Sequence, residues 1–481
     1  MKNDIAFGPD GWLGTLGSDF TENNVVRVAN ALIRYLFQKS PSREKSKVAI
    51  GFDGRKNSKD YASLVATVLA GNNINVLLSS EVVPMPVFSF ATKHHGCALG
   101  IMVTGGHNLP EHNGLAFKGA YGGPFTSEET AKVQALLIDS NEKPVRPASS
   151  PSKDITLVDF LPDYLSHLKS MVDLSAIGSF TKNPKNTANA LIDSMGGAGQ
   201  TVIEDILVGC GWRAQTLFSA PEDRFFDRRP ESVSENLYAL KYNVKVIDAQ
   251  FGVATDGNGA RCGLVYDDGE WMNMQDTALA LLWHLHEQKH WQGNILKTAY
   301  MTDRVKRLSD LWNVPLFDVG LGNGIEEMLK GECLFGAMER GGFCYGRHLP
   351  ECDGILSGLF FAEMIAKAEK PLRQILQQIH NAVGQVHYKS IDINCEMVSA
   401  MKVLSTIAKF PPKPFVDMNV HDMQKYEQDG TISGIKFTWG ECLWLLIQPL
   451  AVESIIRLHA EGESEEDVTA ILAIGKKYFE L

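Results

Sequence analysis

IMVTGGHNLPEHNGLAFKGAYGGP, residues 101–124, is the stretch whose reading decides the fold. An apolar run over 98–103 breaks at Thr104 into the tight loop Gly105-Gly106-His107-Asn108, and a second short strand follows over 115–118. A strand ending in a glycine turn can bring backbone N–H groups close to a phosphate, because glycine has no side chain to hold the ligand off. Taken alone, the pattern is commoner as a plain turn.

Outward from that loop, strands alternate with helices. Val25, Val28, Ala29, Leu32 and Leu36 recur at helical spacing over 22–37, which predicts an amphipathic helix. A strand over 48–53, a helix over 61–70 and a strand over 74–78 follow, the signature of a parallel or mixed sheet covered by helices. A helix is expected over 126–138. The segment 140–154, with Pro144, Pro147 and Pro151 among Ser149, Ser150 and Ser152, reads as a linker.

Beyond it, Ala190-Leu191-Ile192-Asp193 leads through Gly196-Gly197-Ala198-Gly199 into a helix carrying Val202, Ile203, Ile206 and Leu207. Such a unit can cradle phosphate at the helix N-terminus; a plain chain reversal is the preferred reading. Asp256-Gly257-Asn258-Gly259-Ala260-Arg261 places oxygen-bearing side chains at alternate positions, which could surround a hard cation. An EF-hand is excluded, since the sixth loop position is not glycine. Asp267-Asp268-Gly269 predicts a hairpin turn, and 275–287 a helix that opens a third α/β domain. A last domain starts after a helix near 372–379, is interrupted at Phe410-Pro411-Pro412-Lys413-Pro414-Phe415, and carries antiparallel strands over 434–438 and 443–447 and a closing helix over 465–479.

Composition narrows the class. A chain of 481 residues with 44% hydrophobic and 21% charged residues has material for several ordinary globular domains. A net charge of −11 argues against nucleic acid or an anionic membrane as main partner. The longest apolar stretch, 355–366, contains Glu363 and is too short to span a bilayer, so it predicts a buried core helix. The start Met1-Lys2-Asn3-Asp4 leads into no apolar segment of a secretory signal. Eight scattered cysteines without a C-x-x-C pair read as reduced, mostly buried thiols of a cytoplasmic protein.

In order along nearly the whole chain, these loops resemble those of the phosphoglucomutase/phosphomannomutase family, the α-D-phosphohexomutases. The 101–124 stretch resembles the family's T-A-S-H-N-P…Y-N-G-x-K, whose serine carries the transferred phosphoryl group. Gly106 stands in the serine's place, His107 keeps the histidine, and Ala116 replaces the acid/base lysine. Phe7-Gly8-Pro9-Asp10-Gly11-Trp12-Leu13-Gly14 resembles F-G-T-D-G-x-R-G, with Leu13 for the arginine that faces the active-site phosphate. Asp53-Gly54-Arg55 resembles D-T-R, with both charged residues kept.

The loop at 256–261 resembles D-G-D-A-D-R, whose aspartates hold Mg²⁺ in the family; Asp256 and Arg261 survive, while Asn258 and Ala260 replace the other two carboxylates. Ala337-Met338-Glu339-Arg340-Gly341-Gly342 resembles the sugar-reading G-E-x-S-G, with Met338 in the glutamate's place, Glu339 one position off, and Arg340 for the serine. Val319-Gly320-Leu321-Gly322 resembles V-G-x-K with Gly322 for lysine. Gln448-Pro449-Leu450-Ala451-Val452-Glu453-Ser454 resembles the distal-phosphate loop R-P-S-G-T-E-P. Gln448, Leu450, Ala451 and Val452 replace its arginine, serine, glycine and threonine, and Glu453 is retained.

The resemblance implies an α/β fold of four domains, three related α/β domains and a C-terminal α+β domain. The expected boundaries are 1–148, 149–262, 263–372 and 373–481. It also implies loss of chemistry. Removing a catalytic nucleophile costs on the order of 10⁶ in rate in well-studied hydrolases, and losing acid/base help roughly 10²–10⁴. Mg²⁺ wants near-octahedral oxygen ligands, and one aspartate with an amide leaves too little charge, so no cofactor is expected.

The reading is a mutase-like pseudoenzyme of carbohydrate metabolism that binds a sugar phosphate, or a protein partner such as an active paralogue or a second copy, or serves as a scaffold. The alternative is a sugar-phosphate mutase with rebuilt chemistry drawing on His107, Lys118, Glu339, Arg340 or Arg261. Lys118 shares a strand face with Ala116 but is expected to be an exposed strand lysine. Arg55, Lys118, Arg261 and Arg340 together would line a weak anion site.

Overall fold

The computed structural model describes residues 5–8, 11–39, 46–137, 154–322, 324–410, 419–428, 430–450 and 454–479. The chain forms two compact units. One comprises Met1–Met272, Met328–Gly331 and Arg340–Leu372, and the other Asn273–Glu327, Glu332–Glu339 and Arg373–Leu481.

Within the first unit, six strands form one sheet: β1 (Gly11–Thr15), β2 (Lys47–Phe52), β3 (Asn75–Ser79), β4 (Leu99–Val103), β5 (His112–Gly119) and β6 (Ile155–Val158), in the order β1-β5-β4-β2-β3-β6. β4 is buried at every position, as a strand covered on both faces must be. The helix Glu22–Lys39 buries Val25, Val28, Ala29, Leu32 and Leu36, the stripe its periodicity predicts. β4 and β5 are antiparallel, with Met102 opposite Ala116 and Val103 opposite Leu115, so the loop between them opens at one end of the sheet. The helix expected over 126–138 is Ser127–Ala135, started by a capping box between Thr126 and Glu129.

The second sheet runs β11-β10-β9-β7-β8, from β7 (Asn189–Asp193), β8 (Arg213–Leu217), β9 (Phe251–Thr255), β10 (Cys262–Tyr266) and β11 (Trp271–Met272). The expected hairpin turn at Asp267-Asp268-Gly269 joins β10 to β11. The helix Gly354–Ala368 is buried from Gly354 to Ala366, and its Glu363 is paired with Lys367 at 3.1 Å. That satisfies the charge the apolar run had to carry.

Two expected boundaries are displaced. β6 lies past residue 148 yet pairs in parallel with β3, because the chain returns to add an edge strand to the first sheet. The boundary at 262 falls on the first residue of β10, which belongs with β9 in the second sheet. Most of the expected linker, and the proline-rich break after Phe410, lie outside the described residues.

In the second unit, β12 (Asn294–Thr298) pairs in parallel with both β13 (Leu316–Gly320) and β14 (Cys333–Met338). Just after β14, the strand β15 (Gly342–Tyr345) returns to the first unit. The C-terminal domain is an antiparallel sheet in the order β16-β20-β19-β18-β17, from β16 (His387–Asn394), β17 (Asp422–Gln428), β18 (Thr431–Gly440), β19 (Leu443–Leu450) and β20 (Ile455–Gly462). The helices Met397–Ile407 and Glu465–Lys476 bury Leu404, Ile407, Ile471 and Leu472 against Phe437, Leu445, Ile447 and Leu458. Fold class therefore stands as the sequence implies: three α/β domains and a C-terminal α+β domain. Among the described residues no helix is long and apolar enough to cross a membrane.

Candidate functional site

Two loops of the first unit meet at Gly106. The β4–β5 loop is shaped by a buried pair that the sequence shows only as Asp53-Gly54-Arg55. Asp53 accepts hydrogen bonds from Thr104 Oγ1 at 2.6 Å, Ser58 Oγ at 2.9 Å and the Arg55 amide at 3.0 Å. The Arg55 guanidinium lies 3.3 Å from Asp53 and donates to four backbone carbonyls: Leu109 at 2.8 Å, His112 at 3.1 Å, Gly106 at 2.8 Å and Asn108 at 2.6 Å. Phe225 covers its face at 4.7 Å. Arg55 is 3% exposed. With both terminal nitrogens spent on carbonyls, it is a clamp for the loop rather than the anion ligand the resemblance suggests.

Gly106 itself has φ +59, and a Cβ placed there would meet nothing nearer than the Asn258 side-chain nitrogen at 3.7 Å. The facing loop joins β9 to β10 and comes close: a Cβ on Gly257 would stand 2.6 Å from the Gly106 carbonyl. The sequence motifs at Gly106 and Asp256 are thus one site. The turn at 196–199 supports that contact, with the Ala198 amide donating to the Gly257 carbonyl at 3.0 Å.

The donor set does not suit Mg²⁺. Asp256 is fully buried, and its carboxylate accepts the Arg261 amide at 3.1 Å. Burial pushes its pKa up to about 6, against the opposing pull of Arg261 and the amides of Arg261, Ala260 and Gly259. Asn258 Oδ1 accepts the Ala260 amide at 3.1 Å. Ala260 and Gly106 offer no side-chain oxygen. Among the described residues, no group of three or more His, Cys, Asp or Glu could hold a metal ion. One carboxylate, with an amide oxygen beside it that already accepts a backbone N–H, cannot complete an octahedron of oxygens.

The cations expected to line an anion site are dispersed into other pairs. Arg261 stays at the loop mouth, its guanidinium 3.0 Å from His107 Nδ1. Arg340, held at φ 57, pairs with Glu231. Lys118 corrects the expectation most sharply. It is 2% exposed and pairs with Glu351, which also accepts Ser89 Oγ at 3.0 Å. Its partner lies 233 residues away in sequence, so nothing local could reveal it. Leu13 is half-buried on β1 opposite Gly114, and Ala116 is half-buried on β5 opposite Gly11. Neither brings charge.

Breaking the Lys118–Glu351 pair from one side should be costly. Lys118→Met leaves a buried carboxylate unpaired and should destabilise by about 3–5 kcal/mol, while adding Glu351→Leu should recover most of that. Urea unfolding of wild type, single and double variant measures both. Equal destabilisation by single and double variants would count against the pair.

A chain of rings lies elsewhere in this unit. His167, on the helix Leu161–Met171, stacks on Phe90 and His348, and its Nε2 is 2.8 Å from His348 Nδ1. His348 in turn is 2.9 Å from Asp353, which accepts Tyr164 Oη at 2.7 Å. Burial, then His348, lowers the His167 pKa to about 4, with Lys93 and His94 acting the same way and Asp353 opposing. The unfolded chain, with a histidine near 6.5, then binds more protons than the native one between about pH 4 and 6.5. Stability should fall as pH drops through that window. His167→Gln should flatten this slope. Urea midpoints at pH 7 and pH 5 test it, and parallel losses in both proteins would refute it.

The second unit carries its own loops. Met338 ends β14 with its Cε toward Gly324 and Gly336, a packing position. Glu339 accepts Arg457 Nη1 at 2.7 Å, and Arg457 is bidentate on Asp392 at 2.7 and 2.9 Å. Burial opposes the Arg457 charge, but the bonds to Asp392 and Glu339 prevail and raise its pKa. Glu339, one of the residues on which the alternative reading would draw, is therefore an ion-pair partner of Arg457. Gln448 lies on β19 opposite Arg457, its Oε1 buried without a hydrogen-bond partner. Leu450 is half-buried at the strand's end. Val452 and Glu453 lie outside the described residues.

Sequence reasoning missed a buried polar cluster here. Lys297 pairs with Asp303 at 3.0 Å; Lys436 lies 3.6 Å from Asp303 and 4.0 Å from the Trp444 ring. Glu461 accepts Thr302 Oγ1 at 2.7 Å and Trp444 Nε1 at 3.0 Å. Burial, then Lys297, lowers the Lys436 pKa; burial, then Asp303, raises that of Glu461. A lone lysine within the apolar strand β18 and the alternation of Arg457, His459 and Glu461 with apolar residues in β20 were the available signal.

Three family models match the chain up to residue 382: phosphoglucomutase/phosphomannomutase α/β/α domain I over 4–143, domain II over 162–269 and domain III over 274–382. The chain belongs to the phosphoglucomutase/phosphomannomutase family. Among its relatives is a protein of Methanosphaera stadtmanae described as "Probable phosphoglucosamine mutase", 26% identical over 98% of this chain and 97% of that one. The crystal structure of a "putative phosphomannomutase" from Thermus thermophilus superposes with a TM-score of 0.82 at 27% identity, over 99% of both chains. The fold also extends to Aspergillus fumigatus N-acetylphosphoglucosamine mutase, solved with GlcNAc-6P and magnesium, with a TM-score of 0.52 at 10% identity over 98% and 96% of the two chains.

Proposed function

We propose that this phosphohexomutase-family chain has lost mutase turnover and acts in carbohydrate metabolism as a binding, regulatory or scaffold protein. The observation that carries the reading is the meeting of Gly106 with Asn258. Where the family presents a phosphorylated serine to a carboxylate-bound Mg²⁺, this chain presents a glycine to a side-chain amide. Phosphoryl transfer depends on positioning and charge neutralisation more than on covalent chemistry, and neither is supplied. A sugar phosphate remains a ligand of the right class, by analogy with the GlcNAc-6P bound by the Aspergillus enzyme; a second copy or an active paralogue is the protein partner the reading favours. A cytoplasmic setting belongs to the same reading, supported by eight cysteines without a C-x-x-C pair.

A second reading, rebuilt mutase chemistry, rests on the Arg261–His107 contact at the loop mouth, where a nucleophile and a cation stand together. One assay separates the two. Purified protein given glucose 1-phosphate or mannose 1-phosphate, Mg²⁺ and the matching bisphosphate should form no 6-phosphate above a vector control. Turnover that His107→Ala abolishes would establish the second reading instead.

A further inference from the structure

Cys344 and Cys352 lie far from any role the family motifs assign. Cys344 sits in β15 and is 1% exposed, while Cys352 is half-buried, and their sulfur atoms are 3.0 Å apart. The two residues face each other across an isolated antiparallel bridge. The Asp353 amide donates to the Phe343 carbonyl at 3.0 Å, the bond that flanks a non-hydrogen-bonded pair. Such pairs hold their Cα atoms about 4.5 Å apart with side chains close together, inside the window of about 4.4–6.8 Å that a disulfide tolerates. Backbone geometry and sulfur positions therefore agree, and no chain movement is needed to join them.

The intervening turn is well anchored. Glu351 holds Lys118 and Ser89, His348 holds His167 and Asp353, and a Cβ on Gly123 would meet the Pro350 carbonyl at 2.4 Å. Anchoring on both sides keeps the two thiols opposed.

We propose that Cys344 and Cys352 are an oxidative modification site that closes to an intramolecular disulfide on exposure to a peroxide. The half-buried Cys352 sulfur attacks the peroxide ROOH, whose O–O bond breaks to give the sulfenic acid and the alcohol ROH. The Cys344 sulfur then attacks the Cys352 sulfur, forming the S–S bond and releasing water. Two thiols are oxidised by two electrons and one peroxide is reduced.

Cleavage after Arg347 separates the two cysteines into the peptides 341–347 and 348–367, which gives a direct readout. Full-length protein reduced with dithiothreitol, freed of reductant and treated with hydrogen peroxide should lose two thiols and yield these peptides linked, and dithiothreitol should separate them. In Cys344→Ser, Cys352 has no partner to condense with, and dimedone should trap its sulfenic acid. Wild type should give little adduct, and its thermal midpoint should rise by a few degrees on oxidation, because a cross-link restrains the unfolded chain. The proposal is overturned if wild-type Cys352 ends as a dimedone adduct or a sulfinic acid with Cys344 still a thiol. It is equally overturned if the linked peptides appear only after treatment in urea.

Discussion

Gly106→Ser should leave the protein without measurable mutase turnover and without lasting phosphorylation from a sugar bisphosphate. The serine itself will fit. The space a Cβ would occupy is open, with the Asn258 side-chain nitrogen 3.7 Å away, although φ +59 strains a residue with a side chain by about 1 kcal/mol or more. What fails is the surroundings. The new hydroxyl would face an amide, Asp256 is already bonded to the Arg261 amide, and Ala260 adds no oxygen. No lysine stands at Ala116, and Leu13 cannot clamp a phosphate with the bidentate charge of arginine. One restored member of a cooperating set gives almost nothing, since such residues act as a unit. Adding Asn258→Asp and Ala260→Asp should restore Mg²⁺ binding, measured by calorimetry, before it restores rate. Phosphate uptake from glucose 1,6-bisphosphate with turnover by the single variant would defeat both this prediction and the proposed function.

Arg55→Met should be among the most damaging substitutions in the first unit. The guanidinium is 3% exposed and holds Asp53 and four carbonyls of the Gly106 loop. Removing it leaves a buried carboxylate without its cation, which costs about 3–5 kcal/mol. Each carbonyl left unsatisfied adds up to about 1–3 kcal/mol, not additively. Against a typical net stability of about 5–15 kcal/mol, such a variant should unfold at a far lower urea concentration or accumulate insoluble. Arg55→Lys should also suffer, because an ammonium has three donors and no planar fork to reach four carbonyls. A stability within about 1 kcal/mol of wild type for both would show that the loop does not depend on this clamp.

These two positions differ in how much of their setting a sequence can carry. Gly106 was legible because its signal is local: a glycine after an apolar strand, in a loop whose neighbours resemble a known pattern. Arg55 was equally visible as a residue, yet its role was misread as ligand binding. Its acceptors are backbone carbonyls more than 50 residues away, and carbonyls leave no trace in a sequence. Lys118 failed for the same reason, since it lies in the first family domain while its partner Glu351 comes from a turn within the third.

By itself the sequence determined what depends on neighbours along the chain. Helical spacing of apolar residues placed Glu22–Lys39, unbroken apolar runs placed short strands and the buried Gly354–Ala368, and glycine and proline placed the turns. Those preferences act over a few residues, so they survive in a linear reading. Tertiary structure alone decided which charges are spent. It gave Arg55 to a loop, Lys118 to Glu351, Arg340 to Glu231 and Glu339 to Arg457, and it buried Lys297, Lys436, Asp303 and Glu461 as one cluster. The physical reason is that a buried charge must find a partner or a hydrogen bond wherever the fold offers one. Which partner is near is fixed by sheet register and domain packing, over separations of up to 262 residues.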